Sequence, residues 1–131
     1  MTPNEPLVLA IVDDDADVRM ALSRLLRAMG HDVRWFASAE EFEAEDPVVD
    51  CVIADVRLPG VSGLELRERL RTRKGCPPVV LITGDGGRLA REFGHTRETP
   101  VLTKPFDAAV LAEALTSVMS ATALHRERHA H

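Results

Sequence analysis

Five side chains that can bind phosphate or divalent cations stand at the ends of short apolar runs. Asp13 and Asp14 follow LVLAIV, Asp55 follows CVIA, Thr83 follows PVVLI, and Lys104 follows PVLT. Carboxylates can hold a hard cation, a hydroxyl can donate to a phosphoryl oxygen, and an ammonium can pair with a carboxylate or a phosphate. The residue types therefore predict phosphoryl chemistry around a divalent cation if the fold brings these groups together.

The apolar runs have the character of buried β-strands. Short segments rich in Val, Ile and Leu, bounded by polar residues and separated by helical periodicity, are typical of a parallel sheet. In open sheets of this kind, ligands bind in the crevice beyond the carboxyl ends of the strands. We therefore expect the three acids, the hydroxyl and the ammonium to meet at one edge of the sheet.

Helical patterns follow the strands in alternation. Gly30 ends the first helix, and Ser38, Ser62 and Asp107 stand where side chains cap the starts of later helices. The stretch 84–99 has the weakest pattern and predicts only a short or frayed helix. The order is βα repeated five times, and right-handed crossovers place helices on both faces of the sheet. The sequence predicts a three-layer α/β/α sandwich with a five-stranded parallel sheet.

Length and charge limit the function classes. A chain of 131 residues with 45% hydrophobic content suits one domain with a single core. We assign residues 1–124 to this domain and 125–131 to a polar C-terminal tail or linker start, although His125 and His129 have a spacing that could hold a metal on a helix. A net charge of -5 argues against direct nucleic-acid binding.

Compartment and cysteine use point to the cytoplasm. No apolar stretch reaches the roughly 18 residues of a membrane span, and the N-terminus MTPNEP lacks the pattern of a secretion signal. Cytoplasmic cysteines stay reduced. Cys51 and Cys76 lack a metal-binding spacing and are interpreted as core or near-core residues.

Three carboxylates at one point require a compensating charge. Two unit charges about 4 Å apart repel by on the order of 4 kcal/mol at an effective dielectric of about 20. Mg²⁺ suits oxygen ligands, and a carboxylate beside a metal, an ammonium and a hydroxyl is a plausible nucleophile toward phosphorus. The alternative is that Asp13, Asp14 and Asp15 cap a helix and Asp55 is an ordinary surface residue. The joint pattern of all five groups favours the phosphoryl site.

From about Leu7 to Met119, the chain resembles the receiver domains of two-component response regulators. The motifs that carry the resemblance are IVDDD, VIADVRLPGVSG, VVLITG and TKPF, in this order along the chain. Each motif is weak alone, and the ordered set is highly specific. The resemblance implies the flavodoxin-like (βα)5 receiver fold.

The resemblance also implies a role for each matched acid. The phospho-accepting aspartate of the family falls on Asp55, and its acidic metal-binding pair falls on Asp13 and Asp14. By this resemblance Asp14 binds Mg²⁺ directly, together with Asp55 and the backbone carbonyl of Arg57. Asp13 is implied to act largely through water.

A signalling cycle follows from the same resemblance. A sensor histidine kinase or phosphotransfer protein transfers its phosphoryl group to Asp55 in a Mg²⁺-dependent step. The switch hydroxyl and the lysine of the family fall on Thr83 and Lys104, which bind the phosphoryl group and change the conformation that regulates an effector domain or partner. The implied domain is not an enzyme in the ordinary sense, because it catalyses only its own phosphorylation and dephosphorylation.

Three features depart from the family pattern. Val101 replaces the usual aromatic switch residue, so we hypothesise that output runs through displacement of the segment 84–99. The spacing from Thr83 to Lys104 is about one residue short, which leaves the oligomeric state open, a homodimer included. Arg57 and Asp85 could pair over the phosphoryl site and slow hydrolysis, or both could simply be solvated.

Two other functions remain open from the sequence. A phosphohydrolase of the haloacid dehalogenase type also uses an aspartate, a threonine or serine, a lysine and Mg²⁺. Its DxDx[TV] pattern is incomplete at residues 13–17, and a cap domain would not fit in this length. A receiver fold could also serve only as a docking module that is never phosphorylated. The cognate kinase, the signal and the output are not encoded in any recognisable motif.

Overall fold

The computed structural model of the protein describes residues 6–73, 75–84 and 99–129, with side chains described as far as residue 121. Within these ranges the strands and helices alternate along most of the chain. They are β1 Val8–Val12, α1 Ala16–Ala28, β2 Asp32–Phe36, α2 Ala39–Glu45, β3 Cys51–Asp55, α3 Gly63–Arg71, β4 Val79–Thr83, β5 Val101–Thr103 and α4 Ala108–His129. The helix predicted between β4 and β5 falls on residues outside the described ranges.

The five strands form one sheet in the order β2-β1-β3-β4-β5, and every neighbouring pair is parallel. The register pairs Val12 with Ala54 and Thr83 with Thr103. The carboxyl ends of β1, β3, β4 and β5 therefore lie side by side at one edge of the sheet. This confirms the predicted parallel sheet and places the residues that follow these strands along one crevice.

Side chains of successive strand residues pack on opposite faces of the sheet, as the period of two requires. One face carries Ile11 and Ile53 beneath α1 and α4, and the other carries Val12 and Leu81 beneath α2 and α3. Each buried side chain of this size stabilises the fold by roughly 1.5–3 kcal/mol. Helices on both faces confirm the three-layer sandwich.

Capping side chains start the helices that border the edge of the sheet. The Oδ1 atom of Asp15 accepts from the backbone N–H groups of the first turn of α1, and the hydroxyl of Ser62 accepts from Glu65 N at 3.1 Å at the start of α3. Ser38 and Asp107 cap α2 and α4 as predicted. Such caps contribute about 1 kcal/mol each. The caps at Asp15 and Ser62 also fix where the loops after β1 and β3 end.

The last helix, the two cysteines and the apolar character of the helices were also predicted from the sequence. The last helix continues to His129, into the segment that the sequence assigns to a tail. Cys51 is buried, Cys76 is partly buried, and both are unpaired, as expected for core and near-core thiols. Among the described residues, no helix is both long and apolar enough to cross a membrane.

Candidate functional site

Three carboxylates meet at the edge of the sheet. One oxygen from each of Asp13, Asp14 and Asp55 lies within 4.8 Å of the others. Asp13 and Asp14 follow β1 directly, and Asp55 is the last residue of β3, the strand beside β1. Asp13 is buried, Asp55 is half-buried and Asp14 is exposed. The fold therefore brings together the three acids that the sequence singled out.

The Asp13 carboxylate is held firmly by one oxygen, and its other oxygen has no hydrogen-bond partner. Its Oδ1 atom accepts from Asp15 N at 2.9 Å, and its backbone N–H donates to the carbonyl of Phe36 at 3.1 Å. Among the described residues, Asp13 Oδ2 is the single buried side-chain polar atom without a hydrogen bond. Burial, and then repulsion from Asp55, raises the pKa of Asp13 to about 6. An oriented but unsatisfied carboxylate oxygen is the expected state of an acid placed to meet a cation or a water bound to one.

Lys104 supplies part of the compensating charge. Its Nζ atom lies 3.1 Å from Asp55 Oδ2 and 3.9 Å from Asp13 Oδ2. Its backbone N–H donates to the carbonyl of Thr83 at 2.8 Å, which continues the pairing between β4 and β5 past the end of β5. Among the described residues, one ammonium faces three acids, which leaves this part of the site anionic.

Asp55 is fixed by contacts at both its carboxylate and its backbone. Its Oδ1 atom accepts from Arg57 N at 2.8 Å, so the loop after β3 folds back over the acid. A Cβ atom at Gly63 would lie only 2.3 Å from the Asp55 carbonyl oxygen. Only a glycine can bring the start of α3 this close to the strand that carries Asp55. No pattern in the sequence signals this contact.

Thr83 ends β4, which lies between β3, the strand that ends in Asp55, and β5, the strand that Lys104 follows, and the Thr83 side chain is buried. Val101 is also buried and lies on the same face of the sheet, two residues before the Thr103 that pairs with Thr83. No large aromatic side chain occupies this position, in agreement with the sequence. Asp85, the proposed partner of Arg57, lies outside the described residues.

The donor set fits a hard divalent cation. All three acids offer oxygen, one buried oxygen is unsatisfied, and the one ammonium that the described residues place nearby does not neutralise the cluster. These are the properties of sites that hold Mg²⁺ with a few carboxylates and several waters. The backbone carbonyl of Arg57, assigned to the metal from the resemblance, stays a prediction.

One further residue contacts this site and a second packs against that residue, and neither was identified from the sequence. Arg19 of α1 donates from Nη1 to the backbone carbonyl of Asp13 at 2.8 Å. Its guanidinium carbon lies 4.7 Å from the centroid of the Trp35 ring. Neither residue lies in one of the four receiver motifs, and no periodicity signals a contact between an arginine and a main-chain carbonyl.

Comparison with known proteins agrees with the architecture. The family model "Response regulator receiver domain" matches residues 9–116. The transcriptional regulatory protein FixJ of Azorhizobium caulinodans is 36% identical over 122 residues, covering 91% of this chain and 58% of that protein. The chain spans about half the length of the curated relatives it matches.

Solved structures give the same result. A response regulator receiver protein from Burkholderia phymatum superposes with a TM-score of 0.73 at 33% identity, covering 88% of this chain and 96% of that one. A response regulator from Chloroflexus aurantiacus gives a TM-score of 0.78 at 32% identity, covering 88% of this chain and 99% of that one. This chain belongs to the family of response regulator receiver domains, whose general function is to accept a phosphoryl group in two-component signalling.

Proposed function

We propose that Asp55 is the phospho-acceptor of this receiver domain and that a histidine kinase or phosphotransfer protein is its phosphoryl donor. The observation that carries the assignment is the position of the Asp55 carboxylate, which belongs to the acidic cluster and lies 3.1 Å from the Lys104 ammonium. Asp13 is buried and Asp14 is exposed, whereas Asp55 is partly buried, with 12% of its side chain exposed at the edge of the sheet. It is therefore both accessible to a donor and flanked by positive charge.

The transfer balances without any further reactant. A carboxylate oxygen of Asp55 attacks the phosphorus of a phosphohistidine, the P–O bond of an acyl phosphate forms, and the P–N bond to the imidazole breaks with its electron pair staying on nitrogen. Arg57 N and Lys104 Nζ donate to the two Asp55 oxygens and hold the carboxylate in one orientation. Such orientation is a large part of what a protein contributes to phosphoryl transfer.

The acidic pair is proposed to hold Mg²⁺, with Asp14 as a direct ligand together with Asp55 and the Arg57 carbonyl, and Asp13 acting largely through water. The cation supplies the positive charge that the acceptor and the phosphoryl oxygens need when they approach each other. The contribution of this chain is a preoriented set of oxygens. The unsatisfied Asp13 Oδ2 atom supports this proposal.

Thr83 and Lys104 are proposed to bind the new phosphoryl group and start the conformational switch. Thr83 ends the strand between β3 and β5, and its carbonyl already accepts from Lys104 N at 2.8 Å. A movement of one residue therefore passes to the other through the main chain. The contacts made only by the phosphorylated state determine how far the equilibrium between the two conformations shifts.

We propose that the domain turns over no external substrate beyond its phosphoryl donor and acts in the cytoplasm on an effector domain or partner protein. The identity of FixJ as a transcriptional regulator suggests control of transcription as one such output. The match to receiver domains assigns the chain to a different family from the dehalogenase-type phosphohydrolases. Hydrolysis of the acyl phosphate returns the switch to its first state.

The test uses the purified chain with a small phosphoryl donor such as phosphoramidate, with and without Mg²⁺. Intact mass spectrometry should show one added phosphoryl group only when Mg²⁺ is present. Asp55→Asn should abolish this gain, whereas Asp32→Asn, which removes an exposed acid of β2, should not. Absence of any phosphoryl gain in the unmodified chain would favour the docking-module alternative, and continuous turnover of a phosphate ester would favour a hydrolase.

A further inference from the structure

A single peptide group joins the two acids assigned to the cation. Its carbonyl is that of Asp13 and its nitrogen is that of Asp14, and because a peptide group is planar, its orientation couples the ψ angle of Asp13 to the φ angle of Asp14. The carbonyl of this group accepts from Arg19 Nη1 at 2.8 Å. The guanidinium of Arg19 therefore contacts the main chain between two carboxylates to which it makes no hydrogen bond itself.

Other contacts fix the Asp13 side of this group. Asp13 N donates to Phe36 O at 3.1 Å, and Asp13 Oδ1 accepts from Asp15 N at 2.9 Å. The first contact holds Asp13, which precedes the shared peptide group, and the second holds the turn that follows this group. The hydrogen bond from Arg19 is the contact that fixes the plane of the peptide between them.

Trp35 holds Arg19 in place. The only tryptophan of the chain extends from the edge strand β2, and the Arg19 guanidinium carbon lies 4.7 Å from its ring centroid. A guanidinium over an indole face is attracted by the negative face of the ring and loses rotational freedom. The ring is 55% exposed, so its burial in the core does not explain its position.

Charge and geometry predict opposite effects of Arg19 on cation binding. Arg19 is a cation beside an anionic cluster, and by charge alone its removal should strengthen the binding of a second cation. By geometry, its removal frees the peptide between Asp13 and Asp14, which should weaken binding. Substitution of a residue that hydrogen-bonds to a metal ligand typically changes metal affinity by about 10- to 100-fold.

We propose that Arg19, held by Trp35, is a positioning residue that orients the acidic pair for Mg²⁺. This inference rests on the proposed function, because it takes the Asp13, Asp14 and Asp55 cluster as the Mg²⁺ site. It assigns a role in the site to two residues outside the acidic cluster, one on α1 and one on β2.

The test is calorimetric titration of the metal-free chain with Mg²⁺ alone, without a phosphoryl donor. Arg19→Met keeps the aliphatic stem and should weaken Mg²⁺ binding by about tenfold. Trp35→Leu leaves the net charge unchanged and should weaken binding in the same direction by a smaller factor. Arg24→Met is the matched control, since it removes the same charge from an exposed position of α1 and should bind Mg²⁺ at least as tightly as the unmodified chain.

Two further measurements separate positioning from general damage. Urea unfolding without Mg²⁺ should show that the Arg19→Met and Trp35→Leu chains are folded, and Arg19→Lys, which keeps a donor, should recover part of the lost affinity. Unchanged or tighter Mg²⁺ binding by Arg19→Met would overturn the inference while leaving the proposed site intact. Failure of the unmodified chain to bind Mg²⁺ would instead contradict the proposed function itself, and the inference with it.

Discussion

The Lys104 ammonium contacts the Asp55 carboxylate at 3.1 Å, although the two residues lie 49 positions apart in the chain. The contact joins the ends of β3 and β5, which are separated in the sheet by β4. It places one positive charge against the proposed phospho-acceptor, and the same ammonium lies 3.9 Å from Asp13 Oδ2. The net charge of the site therefore depends on the Lys104–Asp55 pair, and a substitution of either residue changes it.

Replacing the lysine should strengthen cation binding while it impairs retention of the phosphoryl group. In Lys104→Met the competing ammonium is gone, so Mg²⁺ affinity should rise about three- to tenfold, a range that allows for solvent screening of a partly exposed pair. Calorimetry measures this change. Arg27→Met removes an equal charge from the exposed end of α1 and should alter Mg²⁺ affinity by less than about twofold. Weaker Mg²⁺ binding by Lys104→Met would show that Lys104 orders the acids instead of competing with the cation.

Asp13 should make the metal-free fold less stable as pH rises. Burial, followed by repulsion from Asp55, raises the pKa of Asp13 from 3.8 to about 6. The fold then binds more protons than the unfolded chain between these values, so stability falls as pH rises through this window and stays lower above it. Asp13→Asn should therefore raise the free energy of unfolding at pH 7 by about 1–3 kcal/mol and have little effect at pH 4.

Urea unfolding of the metal-free chain at the two pH values measures this difference. Asp32→Asn, which removes an exposed carboxylate, is the matched control. An equal change at pH 4 and pH 7 would show that the Asp13 effect is not one of ionisation. Mg²⁺ affinity of the unmodified chain should also fall as pH drops through about 6, because a proton then competes for the same carboxylate.

Arg57 should slow hydrolysis of the acyl phosphate. Its backbone N–H donates to Asp55 Oδ1 at 2.8 Å, so its exposed side chain leaves the main chain beside the phosphoryl site. We expect Arg57→Ala to shorten the lifetime of phosphorylated Asp55 by up to about fivefold, the range of an exposed ionic interaction. The decay of the phosphorylated species is followed by mass spectrometry, with Arg24→Ala as control. A lifetime equal to that of the control would mean that the Arg57 side chain is simply solvated.

Gly63 should be required for the geometry around Asp55. A methyl group at this position would meet the Asp55 carbonyl at 2.3 Å, and the next nearest atoms also belong to the main chain. Gly63→Ala should therefore cost about 1–3 kcal/mol of stability, because neither α3 nor β3 can move away freely. Gly84→Ala is a suitable control, since no described heavy atom lies within 4 Å of its added Cβ. Denaturant unfolding of both variants distinguishes the two positions, and equal stability would argue against close packing of α3 on β3.

The sequence predicts the sheet and the meeting of the site residues because both follow from local patterns. Runs such as LVLAIV and PVVLI carry the strand signal, and the polar residue after each run must lie at the carboxyl edge of a parallel sheet. The caps at Ser38, Ser62 and Asp107 are equally local, since each depends on a side chain and the backbone of the next turn.

What escapes the sequence are contacts with the main chain that depend on how loops and helices cross the ends of the strands. The hydrogen bond from Arg19 to the Asp13 carbonyl depends on the crossing of α1 over the end of β1, and the approach of Gly63 to Asp55 depends on the path of a loop. Neither has a periodic signature. The consequence of Val101 in place of an aromatic switch, and the output through the segment 84–99, stay predictions.

The most direct test of the central claim is chemical identification of the phosphorylated residue. The chain is phosphorylated with phosphoramidate and Mg²⁺ and then reduced with borohydride, which converts an aspartyl phosphate to homoserine and marks its position in a peptide map. We expect one modified residue, Asp55, and none when Mg²⁺ is removed by a chelator. Modification at Asp13 or Asp14 with Asp55 intact, or equal labelling without Mg²⁺, would contradict it.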